Sequence, residues 1–238
     1  AFEQNTIKDN EKGIDAYIFM RALSKEVTKD SIMTIDSGAP LIFVMQQFVF
    51  KNGQRLISAS GLENSNFALP AAIGVYVASS GKEIICICDD QGFKRNIPEL
   101  ETIVAYNIPV KIFILNSKGY AYVRTTQESY FGRRYVASDE ENRLGTPDIA
   151  EVAKAYNIPS FAVLNDEELE STIQTVFKTR GVIICEININ KNQQIKPKIT
   201  FTVTENGKWV AKPLENMYPF LEKREFEENM IINQYKDD

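Results

Sequence analysis

Histidine is absent from the 238 residues of this chain. Its absence excludes a histidine general base, Ser-His-Asp and Cys-His nucleophile systems, and zinc held by histidine. Any chemistry must therefore depend on carboxylates, hydroxyl groups, backbone groups or a bound cofactor.

Cysteine is scarce, and Cys86, Cys88 and Cys185 all lie in apolar runs rich in β-branched residues. Cys86 and Cys88 are two positions apart, so they share one face of a strand. A free cysteine in such surroundings behaves as a small core hydrophobe. We therefore interpret all three as reduced core residues without a redox role.

Long apolar runs and an excess of basic charge are also missing. The richest apolar runs, such as 41–44 and 110–115, end far short of the roughly 18 residues that a membrane helix needs. The 27 basic and 32 acidic residues give a net charge of −5, which disfavours a nucleic-acid or anionic-membrane surface. A small-molecule or protein partner is expected. Since no signal-like segment follows Ala1, we expect a cytoplasmic protein or a piece of a longer one.

Short apolar segments alternate with helical patterns along most of the chain, which predicts a mostly parallel sheet covered by helices on both faces. The expected fold class is therefore α/β, as a three-layer α/β/α domain. The predicted strands are 31–36, 55–58, 83–88, 110–115, 161–164 and 182–187. The predicted helices are 13–28, 67–79, 97–106, 148–156 and 166–178.

The last part of the chain has a different pattern. Segment 199–204 alternates between apolar and polar residues, Glu205-Asn-Gly207 offers a tight turn, and 208–212 returns, which predicts a β-hairpin. A strongly charged helical segment follows. We therefore divide the chain into a main domain at 1–190 and a C-terminal appendage at 191–238.

Polar residues follow two predicted strands that are joined by one helix. Asp90 comes after the strand that ends at Cys88, and Asn116 and Ser117 come after the strand that ends at Leu115. Because ligands bind beyond the carboxyl ends of parallel strands, these oxygen atoms are expected to face one ligand site. Such oxygens suit Mg²⁺, although the same residues also cap helices and form Asx turns without any metal.

Several segments together resemble the cofactor-diphosphate domain of thiamine-diphosphate enzymes, specifically the acetolactate synthase type. The similarity runs from about residue 13 to residue 190. The segments that carry it are Phe67-Ala-Leu-Pro-Ala-Ala-Ile-Gly74, Asp90-Gln-Gly-Phe93, Asn96-Ile-Pro-Glu-Leu100, Asn107-Ile-Pro-Val-Lys-Ile-Phe-Ile-Leu-Asn116 and Lys118-Gly-Tyr120.

The resemblance implies a Mg²⁺ site with altered ligands. Asp90 matches the family's metal-ligand aspartate, whereas Asp89 and Gln91 replace the two glycines that flank it. Ser117 stands at the second ligand position, where the family has asparagine. The carbonyl oxygen of Gly119 would be the third ligand.

The resemblance also implies contacts with thiamine diphosphate. Glu63 and Ser65 lie in the loop that contacts the aminopyrimidine, where Glu63 offers its backbone carbonyl and Ser65 replaces an apolar wedge. Gly38 begins the segment that helps to hold the diphosphate, and Gly92 offers an amide-lined turn. The predicted cofactor contacts are Gly38, Glu63, Ser65, Asp89, Asp90, Gln91, Gly92 and Tyr120.

In that family the domain is the C-terminal part of a longer chain, and it meets a pyrimidine-binding domain that supplies the catalytic glutamate. The resemblance therefore implies a lyase or transferase that decarboxylates a 2-oxo acid and forms a carbon–carbon bond. The pyrimidine-binding domain would belong to the same long chain or to another subunit, in a homo-oligomer of at least two subunits. The isolated domain, with no catalytic residue of its own, would be inactive.

Two alternatives stay open at this point. A non-catalytic relative would keep the fold as a scaffold or ligand-binding subunit, since several family glycines are replaced. An unrelated Rossmann-like nucleotide-binding module would need a glycine-rich turn after the first strand, where the chain has Asp36-Ser-Gly-Ala-Pro40.

Overall fold

A computed structural model describes residues 13–62, 66–138 and 140–232. The chain divides into two compact units, with the boundary between Gln193 and Gln194.

The first unit is built on a six-stranded sheet in which every pair of neighbouring strands is parallel. The strands are β1 Ile32–Ile35, β2 Arg55–Ser58, β3 Ile84–Asp89, β4 Val110–Asn116, β5 Ser160–Val163 and β6 Ile183–Asn188. Their order across the sheet is β2-β1-β3-β4-β6-β5. The central strands β3 and β4 are almost wholly buried, which explains why their sequences are continuous apolar runs.

Eight α-helices accompany this sheet in the described part of the first unit. They are α1 Ala16–Glu26, α2 Ala39–Gln47, α3 Ala68–Ala78, α4 Asp90–Arg95, α5 Glu99–Ala105, α6 Ala121–Tyr130, α7 Ile149–Ala155 and α8 Asp166–Lys178. Short 3₁₀ turns occur at Ser60–Leu62 and Glu140–Asn142.

Both faces of the sheet are covered, as the sequence predicts. On one face, Cys86 and Ile112 belong to a buried cluster that includes residues of α3, α5 and α7. On the other face, the ring of Phe113 lies 5.8 Å from that of Phe19 in α1 and 6.1 Å from that of Phe177 in α8. Because successive strand residues point to opposite faces, one strand contributes to both layers. The three-layer α/β/α fold with a parallel sheet is confirmed.

A repeated Tyr-Asn-Ile-Pro string marks the ends of α5 and α7. Asn107 and Asn157 adopt left-handed backbone conformations, with φ of 50° and 55°. The amide of Ile108 donates to Ile103 O, and that of Ile158 donates to Ala153 O, each at 2.9 Å. These are the bonds of a Schellman C-cap. The repeat is therefore one helix stop signal used twice.

Three helices depart from the sequence prediction. Helix α4 directly follows β3, and α6 covers an aromatic-rich segment, both where the sequence predicts no helix. Helix α2, also unpredicted, begins beyond Gly38 with a proline in its first turn. Its sequence is apolar nearly all round, so it lacks the periodicity that indicates a surface helix.

The second unit contains a two-stranded antiparallel sheet and one helix among its described residues. The elements are β7 Phe201–Val203, β8 Trp209–Ala211 and α9 Lys223–Asn229. The turn between the strands places Gly207 at φ 76°, and its amide donates to Thr204 O at 2.8 Å. The predicted hairpin and helix of the C-terminal part are confirmed. Across the described parts of both units, no helix has the length and apolar character needed to span a membrane.

Candidate cofactor-binding site

A cavity of about 310 Å³ lies at the carboxyl ends of the central strands. We call it the strand-end cavity. The segments that follow β1 and β4 supply most of its wall, and Asp89 at the end of β3 contributes to it, as expected for a ligand site in a parallel sheet. Its lining residues are Ser37, Gly38, Ala39, Pro40, Leu41, Ile42, Phe43, Ser60, Asp89, Leu115, Ser117, Gly119, Tyr120, Ala121, Tyr122, Val123, Ile189 and Gln193.

Two helices begin at the wall of this cavity. The N-cap residues are Gly38 for α2, which has no side chain, and Tyr120 for α6, whose side chain forms no capping hydrogen bond. The first-turn amides of a helix have no acceptor within the helix, and its N-terminus carries partial positive charge. The wall therefore presents two electropositive helix ends, which favour an anion.

Asp90 lies completely buried at the start of α4, beside the loop that follows β4. Its Oδ2 atom accepts hydrogen bonds from the Gly119 amide at 2.8 Å, the Thr146 hydroxyl at 3.0 Å and the Gln91 side-chain amide at 3.2 Å. Its Oδ1 atom is buried without a hydrogen-bond partner among the described residues. Burial raises the pKa of Asp90, and the three hydrogen bonds partly oppose that rise.

The loop after β4 brings the other two predicted metal ligands together. The Ser117 hydroxyl donates to the carbonyl oxygen of Gly119 at 2.9 Å. Asn116 Oδ1 accepts from the Lys118 amide at 2.9 Å, which forms an Asx turn. Lys118 has φ of 55°, so the turn holds a non-glycine residue in the left-handed region.

Arg124 in α6 is buried beneath this loop and holds it by backbone contacts. Its guanidinium donates to Ser117 O at 3.0 Å, Ser138 O at 3.2 Å and Lys191 O at 2.6 Å. One side chain thus ties three chain segments to the cavity wall, because guanidinium offers several donors in one plane.

Two more carboxylates lie at this edge of the sheet. Asp36 Oδ1 accepts from the amides of Phe67 and Ala68, both at 2.8 Å, and so fixes the start of α3. Asp89 Oδ1 accepts from the Gly92 amide at 2.5 Å and caps α4. Burial, reinforced by the charge of Asp89, raises the pKa of Asp36 to about 8. Burial, reinforced by Asp90, raises the pKa of Asp89 to about 7.

Tyr120 connects the cavity wall to α4. The Arg95 guanidinium donates to the Tyr120 hydroxyl and lies 5.6 Å from the centre of its ring. This cation–π contact places a positive charge at the same edge as Asp36 and Asp89.

The predicted site residues fall into three groups. On the strand-end cavity wall lie Gly38, Asp89, Ser117, Gly119 and Tyr120. Buried behind that wall lie Asp90, Gln91 and Gly92. The Gly92 amide is bonded to Asp89, so it does not form the open amide-lined turn expected from the sequence. Glu63 and Ser65 lie outside the described residues.

Sequence reasoning missed Asp36, Arg124 and Thr146 as members of this site. Asp36 follows β1 as Asp90 follows β3, and that shared position was an available signal. Nothing in the local sequence indicates Thr146, which lies 56 residues from Asp90. Arg124 resembles an ordinary exposed helix residue until its burial is seen.

A carboxylate, a hydroxyl group and a carbonyl oxygen make up the candidate metal-ligand set. Among the residues that the structure describes, no three His, Cys, Asp or Glu side chains are grouped to hold a metal ion. Mg²⁺ needs few protein ligands of this kind, since it retains waters and binds phosphate oxygens.

The fold and these features are typical of α/β domains that bind phosphate-bearing cofactors at the strand ends. Residues 36–187 match the family described as thiamine pyrophosphate enzyme, C-terminal TPP binding domain. The chain belongs to this family, and the resemblance predicted from its sequence is confirmed.

Acetolactate synthases are among the relatives that the chain resembles. The large subunit of Porphyra purpurea is 31% identical over 176 residues, which are 74% of this chain and 29% of that protein. The isozyme 2 large subunit of Escherichia coli is 27% identical over 186 residues, which are 78% of this chain and 33% of that protein. The chloroplastic acetolactate synthase 1 of Zea mays is 28% identical over 179 residues. The chain spans about a third of the length of these relatives or slightly less.

Proposed function

We propose that the first unit binds thiamine diphosphate through Mg²⁺, as the diphosphate-binding part of an acetolactate synthase-like enzyme. One observation carries this proposal. Asp90 is completely buried, and Oδ2 accepts three hydrogen bonds while Oδ1 has no partner in the described part of the chain. Burying a carboxylate without a counter-ion is costly, and a bound cation would reduce that cost.

The residues present fit such a metal. In the proposed site Asp90 Oδ1, the Ser117 hydroxyl oxygen and the Gly119 carbonyl oxygen hold Mg²⁺. Asp90 and Gly119 are already joined by a hydrogen bond, and Ser117 is joined to Gly119. These are hard oxygen ligands, and the diphosphate supplies the further oxygens that Mg²⁺ prefers.

The diphosphate would lie at the N-termini of α2 and α6. Gly38 and Tyr120 stand at these helix starts on the strand-end cavity wall. Gly38 has φ of 88°, and a Cβ added there meets nothing within 4 Å, so this glycine serves the backbone conformation rather than space. We also propose that the Glu63 carbonyl and Ser65 contact the aminopyrimidine.

In this proposal the chain's own residues bind and orient the cofactor and its metal, and none of them takes part in a chemical step. Bound thiamine diphosphate supplies the carbon nucleophile and the electron sink for decarboxylating a 2-oxo acid and joining its remainder to an acceptor. The residues that complete the site would come from a pyrimidine-binding domain of the same long chain or of another subunit. We therefore propose an assembly of at least two subunits that acts as a lyase or transferase.

We assign this function to residues 1–190 and treat 191–238 as an appendage. The boundary between the two compact units, at Gln193 and Gln194, lies close to this division and supports it.

A second candidate is a non-catalytic relative that keeps the fold as a scaffold or ligand-binding subunit. Asp89, which stands where the family has glycine, lines the strand-end cavity. Its charge would repel a diphosphate unless a cation lies between them or the carboxyl group is protonated.

Calorimetric titration tests the proposal. Thiamine diphosphate is added to the natural full-length protein with Mg²⁺ and with EDTA, using wild type, Asp90→Ala and the exposed-carboxylate control Asp166→Ala. We expect Mg²⁺-dependent binding in wild type and the control, and its loss in Asp90→Ala. Absence of wild-type binding at millimolar cofactor would favour the scaffold.

A further inference from the structure

Gln91 and Thr146 form a closed triangle of hydrogen bonds with Asp90. The Thr146 hydroxyl donates to Asp90 Oδ2 at 3.0 Å and accepts from Gln91 Nε2 at 3.1 Å. Gln91 Nε2 also donates to Asp90 Oδ2 at 3.2 Å. We call these three side chains the Asp90 triangle.

The triangle places all of its donors on one oxygen of the carboxylate. With the Gly119 amide, three donors meet Oδ2, and no described residue bonds Oδ1. A carboxylate fixed at one oxygen cannot rotate without losing those bonds, so the direction of the other oxygen is set. Removing a group that orients a metal ligand in this way typically lowers metal affinity by roughly 10 to 100 times.

We infer that Gln91 and Thr146 are positioning residues that hold Asp90 Oδ1 toward the proposed cation. The inference rests on the proposed function, since it needs a metal at Asp90. It also gives a role to Gln91, which replaces a family glycine and is buried behind the cavity wall.

Thr146 can be altered without releasing the segment that carries it. The Lys94 ammonium group donates to Gly145 O at 2.7 Å, so α4 holds this segment by an independent bond. Asp148 caps α7 by accepting from the Glu151 amide at 3.0 Å, which fixes the other side of Thr146. Replacing the hydroxyl with a methyl group should therefore remove two triangle bonds and leave the segment in place.

The test measures the Mg²⁺ dissociation constant by calorimetry at saturating thiamine diphosphate, in the natural full-length protein. We expect Thr146→Val to raise this constant by roughly 10 to 100 times, the range found for partners of metal ligands. Thr146→Ser keeps the hydroxyl and should stay within about threefold of wild type. Gln91→Met keeps a similar length without donors, and it should raise the constant by about tenfold.

The matched control is Thr125→Val. Thr125 is half-buried like Thr146, but its hydroxyl donates at 3.0 Å to Ala121 O within its own helix. This variant should leave the Mg²⁺ constant within about twofold. Thermal unfolding without metal shows whether each variant folds. If Thr146→Val does not fold, Gln91→Met tests the Asp90 triangle in its place.

The outcomes separate the inference from the proposed function. A wild-type protein that binds Mg²⁺ through Asp90, with unchanged constants in Thr146→Val and Gln91→Met, overturns the inference alone. A wild-type protein without Mg²⁺-dependent cofactor binding overturns both. The positioning role is supported if Thr146→Val and Gln91→Met bind Mg²⁺ more weakly but still fill the site at high Mg²⁺, while Thr146→Ser binds it as wild type does.

Discussion

The Asp90 carboxylate at the end of β3 accepts a hydrogen bond from the Gly119 amide after β4, over 2.8 Å. The two residues are 29 positions apart, and the pairing of β3 with β4 brings their loops together. This bond links two of the three proposed metal ligands before any metal is bound.

Removing divalent metal should lower the melting temperature of the protein when thiamine diphosphate is present. Binding at a free ligand concentration of 100 times the dissociation constant stabilises the folded state by about 2.7 kcal/mol. We expect EDTA to abolish that gain in wild type, as measured by scanning calorimetry. Asp90→Ala should melt at the same temperature with Mg²⁺ and with EDTA, and a wild type insensitive to EDTA would contradict the proposed site.

Asp36 should make the protein less stable as pH rises. Its pKa is raised from 3.8 to about 8, so between these values the folded state holds a proton that the unfolded chain has released. The free energy of unfolding therefore falls as pH rises through this window. Asp36→Asn keeps an acceptor for the amides of Phe67 and Ala68, and it should gain more stability over wild type at pH 8 than at pH 5.

Urea unfolding at pH 5 and pH 8, without metal or cofactor, measures this effect. Asp148→Asn is the control, because asparagine also caps a helix and Asp148 caps α7 at the surface. It should keep the pH dependence of wild type. Equal pH dependence in wild type and Asp36→Asn would show that burial does not hold the Asp36 proton.

Arg124→Met should destabilise the first unit strongly. The change leaves the carbonyls of Ser117, Ser138 and Lys191 without their guanidinium donor. Ser138 O keeps the Tyr120 amide as a donor at 2.9 Å, so two carbonyls are left unpaired. Each unpaired buried polar group costs about 1 to 3 kcal/mol, so we expect a loss of roughly 2 to 6 kcal/mol in urea unfolding.

The control for Arg124 is Lys25→Met, which removes an exposed ion pair with Glu170 at 2.6 Å. Exposed pairs contribute about 0 to 1 kcal/mol, so this loss should be much smaller. Similar losses in the two variants would mean that the buried guanidinium contributes little.

Lys118→Gly should stabilise the loop that carries the proposed metal ligands. Lys118 has φ of 55°, a conformation that costs a non-glycine residue about 1 to 2 kcal/mol. Glycine is also more flexible in the unfolded chain, and this lowers the stability gained by relieving the strain by about 0.5 to 1 kcal/mol. We expect a net gain of about 0.5 kcal/mol in urea unfolding, and none in Lys118→Ala, which keeps the Cβ. A loss of stability in Lys118→Gly would contradict a strained turn.

The sequence by itself determined the sheet and where its ligand edge lies. Continuous apolar runs such as β3 and β4 indicate strands buried on both faces, because their short length and β-branched residues distinguish them from buried helices. The order of elements then makes β3 and β4 parallel neighbours. Asp90 and Ser117 follow directly, since each comes just after a strand end.

Tertiary structure decided α2 and α6, whose residues give weak local signals. Helix α2 is apolar nearly all round, and α6 is rich in aromatic and β-branched residues that have modest helix propensity. Packing against the rest of the unit, as with buried Arg124, fixes such helices where propensity does not.

Tertiary structure also decided the surroundings of Asp90. Its contact with Thr146 spans 56 residues, and the contact of Arg124 with Lys191 spans 67. A local pattern carries no information about such pairs, because chain closure brings together residues whose neighbours in sequence are unrelated. The sequence therefore determined which carboxylate stands at the ligand edge, while folding decided which oxygen of that carboxylate is held and which is left for a ligand.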